Sequence, residues 1–164
     1  GGSPREYIDV GSGGGVPGLV LAALWPEGRG VLLEANRRRA SFLASAVAGL
    51  GIADRVAVVH GRAELVGHEE EFRSGFEVVT ARSFGAPAVT AECAAGLVAL
   101  GGVIVVSEPP AGSARCPSTE LRTLGLVASA VEAKGRHFVR LSRVGDVPAR
   151  FPRTWRVMMR RPLF

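Results

Sequence analysis

Short apolar runs alternate with longer amphipathic stretches along most of the chain. Tyr7-Ile8-Asp9-Val10 predicts a buried strand, and Gly11 to Gly15 a loop. Val16 to Trp25 predicts a helix with Pro17 in its first turn. Trp25-Pro26-Glu27-Gly28 breaks it. Val31-Leu32-Leu33-Glu34 is the next strand; Asn36 then caps a helix running to about Leu50, with Gly49 and Gly51 marking its end. Val56 to Val59 and Phe76 to Ala81 are further strands. A helix from about Ala86 to Leu100 ends at Gly101-Gly102, and Val103 to Ser107 is a fifth strand. Continuous apolar strands alternating with helices imply a parallel sheet covered on both faces.

The pattern then changes. Glu108 to Pro117 reads as a Pro/Gly/Ser loop, and Ser118 to Leu124 as a short helix. Val127–Ala133 and His137–Arg143 read as strands joined by Lys134-Gly135-Arg136, a connection so tight that they must be antiparallel. The expected fold class is therefore α/β: a mostly parallel seven-stranded sheet with a terminal antiparallel hairpin and helices on both faces. No internal repeat is visible.

The strongest chemical signal is Asp9-Val10-Gly11-Ser12-Gly13-Gly14-Gly15-Val16-Pro17-Gly18, between the first strand and helix. In open α/β sheets ligands bind at such loops, outside the carboxyl ends of the strands. Gly13-x-Gly15-x-x-Gly18 formally satisfies the dinucleotide fingerprint. Asp9-x-Gly11-x-Gly13-x-Gly15 instead resembles motif I of class I methyltransferases, which bind S-adenosylmethionine (SAM), and a dinucleotide loop has no need of an acid before its first glycine. Glu34 stands roughly 20 residues on, where an acid accepts ribose hydroxyl bonds in either class. The hairpin after the fifth strand favours SAM.

Composition narrows the setting. The chain has 164 residues, 47% hydrophobic and 21% charged, which fits one domain over 1–164. No apolar run is long enough to span a membrane, and no signal peptide is visible. The chain lacks an initiator Met and begins Gly1-Gly2-Ser3, which suits a trimmed start. Cys93 and Cys116 match no metal spacing and form no disulfide framework, so a reducing cytoplasm is the expected location. Net charge is +5, and Lys134 is the only lysine. Five arginines (150, 153, 156, 160 and 161) and no acid lie between Arg150 and Phe164, a local excess that hints at a polyanionic partner.

Several dispersed segments, in order, identify a family. They are Tyr7 to Gly18; Leu32-Leu33-Glu34-Ala35-Asn36-Arg37-Arg38-Arg39-Ala40-Ser41-Phe42-Leu43; Gly61-Arg62-Ala63-Glu64; Thr80-Ala81-Arg82-Ser83-Phe84; and Phe151-Pro152-Arg153 with Arg160-Arg161-Pro162-Leu163. In these the chain resembles the bacterial 16S ribosomal RNA guanine-N7 methyltransferases, RsmG, also called glucose-inhibited division protein B (GidB). The resemblance implies a Rossmann-like class I methyltransferase fold with SAM as cofactor. It implies that Gly11, Gly13 and Gly15, with Asp9 and Ser12, wrap the amino-acid end of SAM. Glu34, with Ala35, would bind the ribose, Ala63 and Glu64 would lie against adenine, and Arg82 would face methyl transfer. Ribosomal RNA or the small ribosomal subunit is the implied partner, with no metal, no membrane and a monomeric state.

Three features depart from the family pattern. Ser107-Glu108-Pro109-Pro110 stands where a Lys-Gly pair is usual, and Thr154 to Met159 interrupts the terminal segment. The family's N-terminal helical segment is absent before the first strand. The alternatives are a diverged methyltransferase for a small molecule or another RNA, an inactive SAM-binding module, and, outside these, a NAD-dependent oxidoreductase.

Guanine N7 has a lone pair and no proton to remove, so the chemistry requires orientation rather than a base. Arg82 could bond guanine O6 or a phosphate, against a structural ion pair at the sheet edge. Asp9 could equally brace the loop, Glu34 could serve only as a helix-start acid, and Glu64 could be the acidic first turn of a helix. Arg37-Arg38-Arg39 and Glu69-Glu70-Glu71 read as solvated runs. His60, His68 and His137 are isolated. Trp25 and Trp155 read as packing residues, although Trp155 amid arginines could stack on a base.

Overall fold

The computed structural model describes residues 2–108 and 117–164, Glu108 by its backbone alone. Seven strands form one sheet in the order β3-β2-β1-β4-β5-β7-β6. They are β1 (Glu6–Val10), β2 (Arg29–Glu34), β3 (Val56–His60), β4 (Phe76–Ala81), β5 (Val98–Glu108), β6 (Leu126–Ala133) and β7 (Arg136–Arg143). The first five are parallel. β7 is antiparallel to both β5 and β6, as the tight connection requires.

Alternation along each strand feeds two cores. Tyr7 and Leu32 face one core with α1 (Gly18–Leu24) and α2 (Arg37–Gly49). Their neighbours Ile8 and Leu33 face the other. There α3 (Ala63–Val66), α4 (Pro87–Leu97), α5 (Ser118–Arg122) and α6 (Trp155–Arg160) pack. Helix α4 is buried from Ala88 to Leu97, so it is a central core element. The expected cap at Asn36 is present: its side chain accepts from the backbone N–H of Arg38 and Arg39.

Several boundaries differ from expectation. Helix α1 begins at Gly18, because Val16 and Pro17 belong to the turn. Helix α4 ends at Leu97, and Val98 already pairs with Phe76 in the sheet. The glycine pair at 101–102 therefore lies within a bulged strand and does not end the helix: the register jumps from Phe76↔Val98 to Val78↔Val103. Gly102 is needed there, since a Cβ would lie 2.9 Å from the carbonyl oxygens of both Ala99 and Glu77. Helix α6 was not anticipated. The expected loop at Glu108–Pro117 and Cys116 lie largely outside the described residues, as does the Glu108 side chain.

The segment before α6 is fastened to the body. Glu92, 1% exposed, accepts from Arg153 Nε at 2.8 Å, Nη2 at 2.6 Å and the Arg153 backbone N–H at 2.7 Å. Pro152 fills a slot between Gly67 and Gly96, where a Cβ would meet its ring at 3.1 and 2.9 Å. Arg73 donates to the carbonyls of Gly67 and Phe151, and His68 Nε2 lies 2.6 Å from the Pro152 carbonyl oxygen. The arginine-rich tail is therefore not one uniform basic patch. Arg153 is used internally and Arg150 lies over the Phe151 ring at 4.8 Å. Arg156, Arg160 and Arg161 remain exposed.

Candidate functional site

Strands β1 to β4 end together at one edge of the sheet, where the order reverses between β1 and β4. Residues just beyond those ends line a cleft: Gly11 after β1, Ala35 after β2, Gly61 after β3 and Ser83 after β4. Of the residues singled out from the sequence, the cleft brings together Gly11, Glu34, Ala35, Ala63 and Glu64. Asp9, Ser12, Gly13 and Gly15 do not line it and form the loop's framework. Arg82 also lies off the cleft wall; it is exposed, and its Nε donates to the Val16 carbonyl at 2.9 Å.

Glu34 is the organising side chain. It is 5% exposed. Oε2 accepts from the Gly13 backbone N–H at 2.9 Å, and Oε1 from the Asn36 N–H at 2.7 Å. The carboxylate thus ties the glycine loop to the start of α2. An ionised carboxylate offers about four acceptor sites, so two donors leave capacity for a ligand's hydroxyls. Gly11, Gly13 and Gly15 have φ of 71°, 54° and 90°, a region that favours glycine. A Cβ on Gly11 would lie 2.8 Å from the Phe84 ring.

Asp9 plays a different part. It pairs in register with Thr80 of β4, which donates to Oδ1 at 2.7 Å. Oδ2 accepts from the Gly18 N–H at 3.1 Å, and the Asp9 carbonyl accepts from Ser12 Oγ at 2.8 Å. The side chain is 1% exposed, and burial raises its pKa above 3.8 despite hydrogen bonds from Thr80, Ser12 and Gly18 that pull the other way. Asp9 braces strand, loop and helix together.

Glu64, 5% exposed, accepts from Arg62 Nε at 2.6 Å. Arg62 in turn lies over the Trp155 ring, 5.0 Å from its centroid. Arg39, Arg62, Ser83, Phe84 and Trp155 complete the lining together with Leu33 and Gly61. Sequence reasoning did not single out Arg62, Ser83 or Phe84, although each adjoins a strand end within a recognised segment. Among the described residues no group of three or more His, Cys, Asp or Glu could hold a metal ion, and no helix is long and apolar enough to cross a membrane.

The family model for "GidB: rRNA small subunit methyltransferase G" matches residues 2–138. The chain belongs to this family. Ribosomal RNA small subunit methyltransferase G of Rubrobacter xylanophilus is 36% identical, over 96% of this chain and 65% of its own length. The protein of the same name from Parasynechococcus marenigrum is 34% identical, over 97% of this chain and 68% of its own. This GidB-family chain thus spans about two thirds of the length of those relatives. Its fold is shared with a precorrin-6y C5,15-methyltransferase from Geobacter metallireducens (TM-score 0.63, 15% identity, 88% and 82% of the two chains). It is also shared with an RNA methyltransferase from Salinibacter ruber in complex with S-adenosyl-L-homocysteine (TM-score 0.59, 19% identity, 88% and 84%). These likenesses agree with the α/β class expected from the strand pattern.

Proposed function

We propose that this chain is a SAM-dependent methyltransferase that modifies guanine N7 in small-subunit ribosomal RNA. Family membership supports the reaction class, and Glu34 carries the cofactor reading. Its carboxylate is fixed by the Gly13 and Asn36 amides, with acceptor capacity left at the cleft for a ribose diol. The small side chains of Ala35 and Ala63 leave room beside it. The donor set therefore fits an adenosyl group.

When bound, SAM supplies an electrophilic methyl on a cationic sulfur. Held by Glu34 and the glycine loop, it would supply that methyl to the guanine N7 lone pair, the S–C bonding pair remaining on sulfur. No proton moves, so no residue acts as a base. The protein's part is to hold donor and acceptor in line. Glu34 fixes the nucleoside, while Asp9, through Gly18 and Thr80, keeps the loop in shape for the amino-acid end. Arg82, whose Nε donates to Val16 in the loop, would use its terminal guanidinium nitrogens to bond guanine O6 or a phosphate.

The test is transfer of labelled methyl to small ribosomal subunits from a strain lacking its own enzyme. The expected result is label in 16S RNA at an N7-methylguanine, abolished by Gly13→Asp, which sets a second carboxylate beside Glu34. Full activity in that variant, or no label with wild-type protein, overturns the reading.

A further inference from the structure

Nearly all of the cleft wall comes from the strand ends, but one side chain arrives from far along the chain. Trp155, the first residue of α6, lines the same cleft as Glu34, Ala35 and Ala63. It lies outside the segment that the family model matches, residues 2–138. We infer that Trp155 forms part of the cofactor-binding wall, an aromatic surface against which the adenine ring is seated. This rests on reading the cleft as a SAM site.

Three observations converge. First, the position of Trp155 is built rather than incidental. Met158, one turn on, is fully buried, and residues three apart share a helix face. The Arg153–Glu92 pair and the Pro152 slot fix the chain just before it. Second, the ring is held from within the site. Arg62 approaches it at 5.0 Å, and the Nε of Arg62 is committed to the buried Glu64. A planar guanidinium stacks on indole more favourably than on the other aromatic rings. Third, the cleft combines polar acceptors with small side chains. Glu34 supplies polar acceptors to its wall, and Ala35, Gly61 and Ala63 add residues with little or no side chain. Trp155 lines the cleft and keeps 37% of its whole surface exposed, and adenine is the flat part of the cofactor.

The experiment is titration calorimetry of the full chain with S-adenosylhomocysteine, using wild type, Trp155→Ala, Trp155→Phe and Glu34→Gln. Trp155→Ala should weaken binding on the order of tenfold, the scale of base–aromatic stacking, with Trp155→Phe within about threefold of wild type. A second readout excludes a merely structural role. In a Trp25→Phe background Trp155 is the only tryptophan of the chain, and its emission should change on titration with S-adenosylhomocysteine. Binding by Trp155→Ala within about twofold of wild type, well below the stacking scale, or unchanged emission at saturation, overturns the inference. Loss of binding in Glu34→Gln alongside such a result leaves the SAM site standing without Trp155. No binding by wild type removes both.

Discussion

Two buried carboxylates near the glycine loop have opposite local roles, and each yields a test. Glu34 accepts from two backbone amides at once. In Glu34→Gln one of those amides must face an NH2 group, which both misplaces the loop and removes the charge. Hydrogen bonds to a charged group contribute about 1.5–3 kcal/mol, so affinity for SAM should fall at least tenfold by calorimetry. Asp9 is held by Thr80 and Gly18, with its pKa raised above 3.8 by burial. The folded chain therefore keeps the Asp9 proton at pH values where the unfolded chain has released it. The stability from that proton is present below 3.8 and is lost as pH rises through the folded value. Urea unfolding of wild type and Asp9→Asn should show the difference shifting in favour of wild type as pH falls from about 7 toward 4. A pH-independent difference would mean that Asp9 titrates normally in the folded chain.

At the scale of elements, the Arg153–Glu92 pair joins the segment before α6 to the central helix α4. Breaking a buried pair leaves an uncompensated charge and costs about 3–5 kcal/mol. Arg153→Met should therefore lower the urea midpoint markedly, while replacing exposed Arg156 should hardly move it. This pair also marks the limit of what the sequence made legible. Strands β1, β2 and β4 stood out because each is a short, mostly apolar run ending at a turn, and the site at their ends followed. Val98-Ala99-Leu100 prolonged the apolar pattern of α4, and Gly101-Gly102 mimicked a helix stop. Only sheet pairing with Phe76 and the nearness of the Glu77 backbone show why the strand starts at Val98. Helix α6 carries too few turns to display a period. Its single buried residue, Met158, is meaningful only once α4 and its neighbours are in place. Glu34 and Gly11 were visible as cleft residues from spacing and position; for Asp9 the sequence left bracing and ligand contact open, and only the β1–β4 register supplies its partner Thr80.

Over the whole molecule, the arginines of the terminal segment divide into those serving the fold and those left exposed. Arg156, Arg160 and Arg161 are exposed, whereas Arg153 is internal. If the chain binds ribosomal RNA as proposed, its phosphate contacts release counterions and the affinity should fall steeply with salt. Replacing Arg156, Arg160 and Arg161 together by Ala should reduce the slope of log affinity against log salt by about two. Fluorescence anisotropy with a fragment of 16S RNA over a range of KCl concentrations checks this. An unchanged slope would mean that these three arginines do not contact RNA phosphates. The strand order adds a temporal consequence. β7 lies between β5 and β6, so β6 leaves the ribosome before its only neighbour in the sheet exists. The half that carries the cleft, β1 to β4, pairs within itself, and only the outer edge of β4 awaits β5. Synthesis can thus assemble that half first, while β6 waits as an unpaired ribbon until the hairpin closes onto β5.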